Sequence, residues 1–553
     1  MDKKTILGAA CVLALTATAA CGSNTAPNDT GSVMATGGTK TGTSTGGMMN
    51  APLAGAPGTG GTLPNGAGGT GGTGGTGAGG TNAMSSGGAG PVTNGGASNG
   101  FGGRSATAGA TNGPGGRGSG GASTMSSGGA SASGAGGGAG MGQVGTSMFT
   151  IKTQLASDVK ASAPTTVGIV TWSVAATGIT SAHIDFGLDT TYGMTAPVDL
   201  KQMDYRTLLL GMKPAKTYHF RISASDGTKT YMSDDQSLTT GAKPSANPLT
   251  SFTVKDATSL PKGFFITSFW QGTNSKVPFI FDTDGDLVWW YTANSGESTD
   301  GISRARLSAD SQSIWLVNEA LTGNPLRRVS IDGTTTQTYM STKASHDIAA
   351  VSADTMAYLD YSESDCNSIF EINNAGTTKE VFESTGVTGT SGSLTSCHGN
   401  AVRYSQKEDY YTYSDWQKDV AVVKRDGTLV WKLSQKVSGG NMSWGGAQHG
   451  HQLLDSSILL YANNGGGTNM SAAIEYDLNG MLIKKFKSNG NATNFGDVQR
   501  LSNGNTIITY STSSLMQEVD KNDAVVLEVK GSGSFGYVEF RESLYGPPLD
   551  IAQ

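Results

Sequence analysis

Histidine is scarce in this chain, with six in 553 residues. Four lie in the C-terminal half, each just ahead of a short apolar run. They are His346 in ASHDIAAV, His398 in TSCHGNAV, and His449 and His451 in WGGAQHGHQLL. Imidazole changes charge near neutral pH and serves as nucleophile, proton carrier or metal ligand. Several brought together permit two chemistries. Three can bind zinc, which would make the protein a candidate zinc hydrolase. Alternatively, one neutral ring attacks while others act as acid and electrostatic partners. No carboxylate stands at matching register apart from Asp347, and the residues alone leave both open. The remaining two, His183 and His219, read as exposed strand residues.

The elements that would position these rings repeat from about residue 250. FIFDTDGDLVWWY, RRVSIDGTTTQTY, IFEINNAGTTKEVF, VAVVKRDGTLVWKL, AAIEYDLNGMLIKKF and MQEVDKNDAVVLEV are six copies of one hairpin. Their turns centre on Gly285, Gly333, Gly376, Gly427, Gly480 and Asp523. Asp-Gly or Asn-Gly between alternating strands marks a tight hairpin. Between copies lies a second hairpin-like run, as in ARLSADSQSIWLVNE or QRLSNGNTIITYS. Four strands per repeat at this period predict a six-bladed β-propeller over 250–550. His346, His398 and His449 precede the second run of successive blades by similar distances. They therefore occupy equivalent positions at the mouth of the axial channel and are expected to face one pocket. The DTDGDLVWW segment lacks the bidentate Glu of a calcium loop and reads as a hairpin turn.

Residues 148–243 predict a small β-sandwich. Met212, Pro214, Tyr218, Phe220 and Ile222 resemble the tyrosine-corner strand of fibronectin type III domains, in which Tyr218 would bond back to the nearby turn. Residues 22–147 are mostly Gly, Thr, Ser, Ala and Asn and cannot bury enough apolar surface to fold, so they read as a disordered tether of ~60 Å reach. Residues 1–21 read as a secretory signal. The small residues before Cys21 resemble a bacterial lipobox, although Thr18 stands where Leu is usual, and they imply an acylated Cys21 and a membrane anchor in the cell envelope; without acylation the protein would be secreted. In such a compartment Cys366 and Cys397 read as a disulfide rather than free thiols; a catalytic Cys397 beside His398 is the sharper alternative. A net charge of −6 gives no electrostatic case for nucleic acid.

SHDIAAVS, CHGNAV followed by YYTYSDW, AQHGHQLLDSSILLYANN and FGDVQRLSNGNTIITYS together resemble the arylsulfotransferase family. The resemblance spans about 250–545. It implies a six-bladed propeller that moves a sulfuryl group from a phenolic sulfate donor to a phenol acceptor without the nucleotide donor PAPS or any other cofactor. It makes His449 the nucleophile that becomes sulfohistidine. His398 and Asn400 become contacts to the sulfate and phenolic oxygens, and His346 completes the pocket. His451 competes with His449 but would sit farther along its strand. The chemistry calls for imidazoles that titrate near neutral pH. Trp270, Trp416 and Trp444 are candidate walls for aryl rings, or packing residues. The family's arginine after the second motif is not matched: SDWQKD places Gln417 there, followed by Lys418, which could contact the substrate as a substitute cation. That departure favours a rival reading, a non-catalytic propeller used for binding or adhesion.

Overall fold

Each of the six expected hairpin turns places its central residue in the left-handed region, with φ of 86° at Gly285, 72° at Gly333, 86° at Gly376 and Gly427, 85° at Gly480 and 64° at Asp523. A glycine adopts that conformation without a Cβ clash, so these turns reverse the chain tightly. The computed structural model describes residues 148–272, 277–293, 301–319, 325–340, 342–363, 366–383, 398–416, 419–434, 444, 447–467 and 470–546. The signal, the tether, Cys21, Cys397, Gln417 and Lys418 lie outside them, as does the side chain of Cys366.

Among the described residues, six antiparallel sheets follow one another as blades. Blade 2 comprises Ile302–Leu307, Ser313–Asn318, Leu326–Ser330 and Thr336–Tyr339; blades 3, 4 and 5 repeat this order, opening on Ala344–Ala350, Gly399–Ser405 and Gln448–Leu453. In blades 2 to 6 the first strand is innermost, and inner strands of successive blades pack side by side. The Asp-Gly hairpins form the outer two strands. Inner strands such as Ile302–Leu307 and Gly399–Ser405 are buried at every residue, because blades cover both of their faces.

Two strands from distant parts of the chain complete the ring. The inner strand of blade 1 is the C-terminal Glu539–Arg541, paired with Phe264–Thr267. The outer edge of blade 6, which opens on Asp497–Arg500, is covered by Leu249–Val254 on Val525–Gly531.

Residues 149–239 form a sandwich of a three-stranded and a five-stranded sheet. The Tyr218 hydroxyl accepts the Lys213 backbone N–H at 2.8 Å, the expected corner. The sandwich packs on blades 1 and 2. Lys213 Nζ reaches Asp282, Asp284 and Asp286 at 3.2, 2.8 and 2.8 Å, so a lysine occupies the centre of the DTDGD acidic turn. Arg206 pairs with Asp332, and Thr166 Oγ1 donates to the Val288 carbonyl at 2.7 Å.

Candidate functional site

The same irregularity opens four successive inner strands. A β-bulge falls at Ile302/Arg304, Ser345/Ile348, Gly399/Ala401 and Gln448/His451. A bulge re-aims the side chains around it. Here it lies at the channel mouth, where the sequence puts a histidine in blades 3, 4 and 5. The His346 ring centroid lies 5.3 Å from His398 and 6.1 Å from His449. His346 itself has φ 56°, the left-handed region, a conformation costing about 1–3 kcal/mol outside glycine and persisting only where surroundings enforce it.

Every ring of the trio uses Nδ1 on a partner. His398 Nδ1 bonds the Tyr361 hydroxyl at 2.8 Å, and His346 Nδ1 bonds the Ser345 hydroxyl. His449 Nδ1 lies 2.7 Å from Asn463 Oδ1. Asn463 spends its amide N–H groups on the Ala492 and Phe495 carbonyls, at 2.7 and 2.9 Å. Its oxygen must therefore face His449, which fixes that ring as the Nδ1–H tautomer and leaves the lone pair on Nε2. Burial pushes the His449 pKa down to about 4, and that of His346 well below its ordinary value, with His449 and His398 adding to the effect at His346. This corrects the expectation of imidazoles titrating near neutral pH: two rings are held neutral.

Aromatic surfaces line the trio. Phe495 lies 5.2 Å from His346 and 5.8 Å from His449, with Trp270 4.8 Å beyond it. Trp416 is 43% exposed and 5.8 Å from His398. Trp444 is not a wall. It is fully buried in the core of blades 4 and 5, against Tyr476.

Asn400 is buried, and its Nδ2 donates to the Gln448 carbonyl at 2.5 Å, while Oδ1 has no hydrogen-bond partner. One amide N–H is thus spent on holding blade 5, and Oδ1 is a buried acceptor without a partner. His451 points elsewhere than the trio. Its Nε2 bonds Thr412 Oγ1 at 2.7 Å, and it lines a narrow cavity with Arg306, Arg403 and Glu539 farther along the channel. Asp347 is committed to the same interior. It pairs with Arg403 and lies 3.5 Å from Arg304, whose Nη1 bonds Asp497 at 3.0 Å. No group of three His, Cys, Asp or Glu side chains among the described residues is arranged to hold a metal ion.

Sequence reasoning missed Tyr361, Phe495 and Glu319. Asn463 was present in the ILLYANN motif without a role. Glu319 closes the apolar run SIWLVNE as a lone carboxylate. Its carboxylate accepts the His346 backbone N–H, and Oε1 lies 3.6 Å from His346 Nδ1.

These features define an all-β propeller with a histidine cluster at one channel mouth. The chain matches no family model and no curated protein. Among solved structures it is similar to TolB from Acinetobacter baumannii, with 11% identity, 60% of this chain and 80% of that one covered and a TM-score of 0.36. It is also similar to virginiamycin B lyase from Staphylococcus aureus, with 13% identity, 50% and 87% covered and a TM-score of 0.33. Likenesses this distant carry no argument about activity.

Proposed function

We propose that the protein is an arylsulfotransferase-like enzyme that moves a sulfuryl group between phenolic compounds, without PAPS, through a covalent intermediate on His449. The observation that carries this reading is the convergence of three imidazoles with His449 fixed as a neutral Nδ1–H tautomer. A neutral Nε2 lone pair is what attack on sulfur requires. The S–O bond to the donor breaks as the N–S bond forms, and the acceptor phenol later takes the group from nitrogen. Phe495, Trp270 and Trp416 offer faces for the aryl rings. His398, braced by Tyr361, donates to an oxygen of the transferring group, while Asn400, fully buried, supports the site by holding blade 5 through the Gln448 carbonyl. In this reading the protein works in a bacterial envelope, tethered through Cys21.

A binding or adhesion role competes with it, favoured by Gln417 where the family carries arginine. One experiment separates the two. The purified protein is incubated with an aryl sulfate and a phenol, without PAPS. His449→Asn should abolish transfer, a loss of several orders of magnitude, together with any sulfohistidine trapped by mass spectrometry. His451→Asn should leave substantial activity. A His449→Asn protein with near-normal turnover would make binding the better account.

A further inference from the structure

Sulfuryl transfer needs a proton at each half of the cycle. The departing phenolate must gain one, and the incoming phenol must lose one. Yet burial holds His449 and His346 neutral, so neither ring carries a spare proton at neutral pH.

Glu319 is built into this site from blade 2. It follows the strand Ser313–Asn318 and crosses to blade 3, where it accepts the backbone N–H of His346. That N–H faces Glu319 because His346 sits in a bulge with φ 56°. The strained conformation and the carboxylate thus support each other. Oε1 is 3.6 Å from Nδ1 of the same ring. Among the described residues, the groups facing Glu319 include His346 from blade 3, Ser303 from the inner strand of blade 2, and the Tyr537 phenol. Behind Tyr537 the Arg304 and Arg403 guanidiniums lie 5.8 and 5.7 Å from its ring centre. Both already pair with Asp347 and Asp497.

We propose that Glu319 is the proton reservoir of the site, exchanging a proton with the substrate oxygen through the His346 ring. It is a positioning residue, acting through His346, and the proposal rests on the sulfuryl-transfer reading above. Burial pushes its carboxyl up to about 7, the range in which such an exchange runs both ways.

The steps balance. The Nε2 lone pair of His449 forms the N–S bond, and the S–O pair leaves on the donor oxygen. That oxygen takes the Nε2 proton of His346 while the Glu319 carboxylic acid gives its proton to His346 Nδ1, the Ser345 hydroxyl turning aside. Glu319 ends as carboxylate. In the second half the acceptor phenol returns a proton to His346 Nε2, and Nδ1 returns one to Glu319. The phenolic oxygen then attacks sulfur, and the N–S pair goes back to His449.

This gives the two substrates opposite pH limbs. The kcat/KM for the donor needs protonated Glu319 and should fall as pH rises through about 7. The kcat/KM for the acceptor needs the carboxylate and should rise through the same region. Glu319→Gln keeps the side-chain volume and a backbone acceptor but cannot titrate. It should lower donor kcat/KM at pH 6 by about a hundredfold, and both limbs should vanish. Infrared spectroscopy supplies a readout independent of turnover: the wild-type minus Glu319→Gln difference spectrum should hold a carboxylic-acid C=O band at pH 6 that is lost as pH rises through about 7, the Glu518 band being common to both proteins. An active wild type whose Glu319→Gln variant keeps its rate and both limbs, or whose difference spectrum holds no such band, overturns the reservoir alone. A wild type with no transfer overturns the sulfuryl-transfer reading and, with it, the role given to Glu319.

Discussion

Only 5% of His449 meets solvent, and that burial couples the site to the stability of the fold. The ring takes up a proton at about 4 in the folded protein and near 6.5 when unfolded. Between those values the unfolded chain binds the extra proton, so stability falls as pH drops from 6.5 towards 4 and is level above. His346 acts in the same direction. Glu319 opposes them: its folded carboxyl stays protonated up to about 7 against 4.5 unfolded, so its contribution is full below 4.5 and lost as pH rises through 7. Three buried imidazoles, His346, His449 and His451, stand against Glu319 and Glu518, both raised to about 7, and acid should destabilise. His449→Asn should remove about 2 kcal/mol of that acid sensitivity, read from urea unfolding at pH 4.5 and 7. Equal acid sensitivity in the variant and wild type would mean the folded ring is not held neutral. The spacing of His346, His398 and His449 was enough to bring them together on paper. Their protonation was not legible, because it depends on what covers them, and Glu319 carried no pattern at all.

At the scale of the strand, the site depends on close approach between blades. Gly450 separates His449 from His451, and a Cβ there would lie 2.0 Å from Asp497 Oδ1. Its N–H donates to the Gly496 carbonyl at 3.0 Å, holding blade 5 to blade 6. Gly450→Ala should therefore displace Asp497 from Arg304 and Arg403 and cost about 3 kcal/mol or more, as breaking a buried ion pair does. A drop in thermal midpoint with loss of transfer would be the signature; an unchanged midpoint would count against it. The hairpins were readable because Asp-Gly turns and alternating outer strands leave a local trace. The bulges at the channel mouth were not, since an extra residue in a fully buried strand alters no periodicity. Blade 1 was only partly legible for the same kind of reason: its inner strand is three residues long and comes from the other end of the chain.

Across the whole molecule, the sandwich is fastened to the propeller rather than strung ahead of it. Lys213 serves three carboxylates of blade 1 at once, and Tyr545, beyond the last strand, bonds Leu210 N and Leu208 O at 2.7 and 2.9 Å. Lys213→Ala should lower the thermal midpoint by a few degrees, with part of the loss recovered as acid neutralises Asp284; an unaltered midpoint would mean the sandwich and propeller unfold independently. The two-strand closure has a consequence in time. Phe264–Thr267 waits for Glu539–Arg541, and Leu249–Val254 waits for Val525–Gly531. Contacts so far apart in the chain form late and slowly. During synthesis the first blade has an open edge, which is a template for aggregation until Glu539–Arg541 emerges. Export of the unfolded chain, as proposed above, would meet this requirement, since all of it would arrive before the ring has to shut.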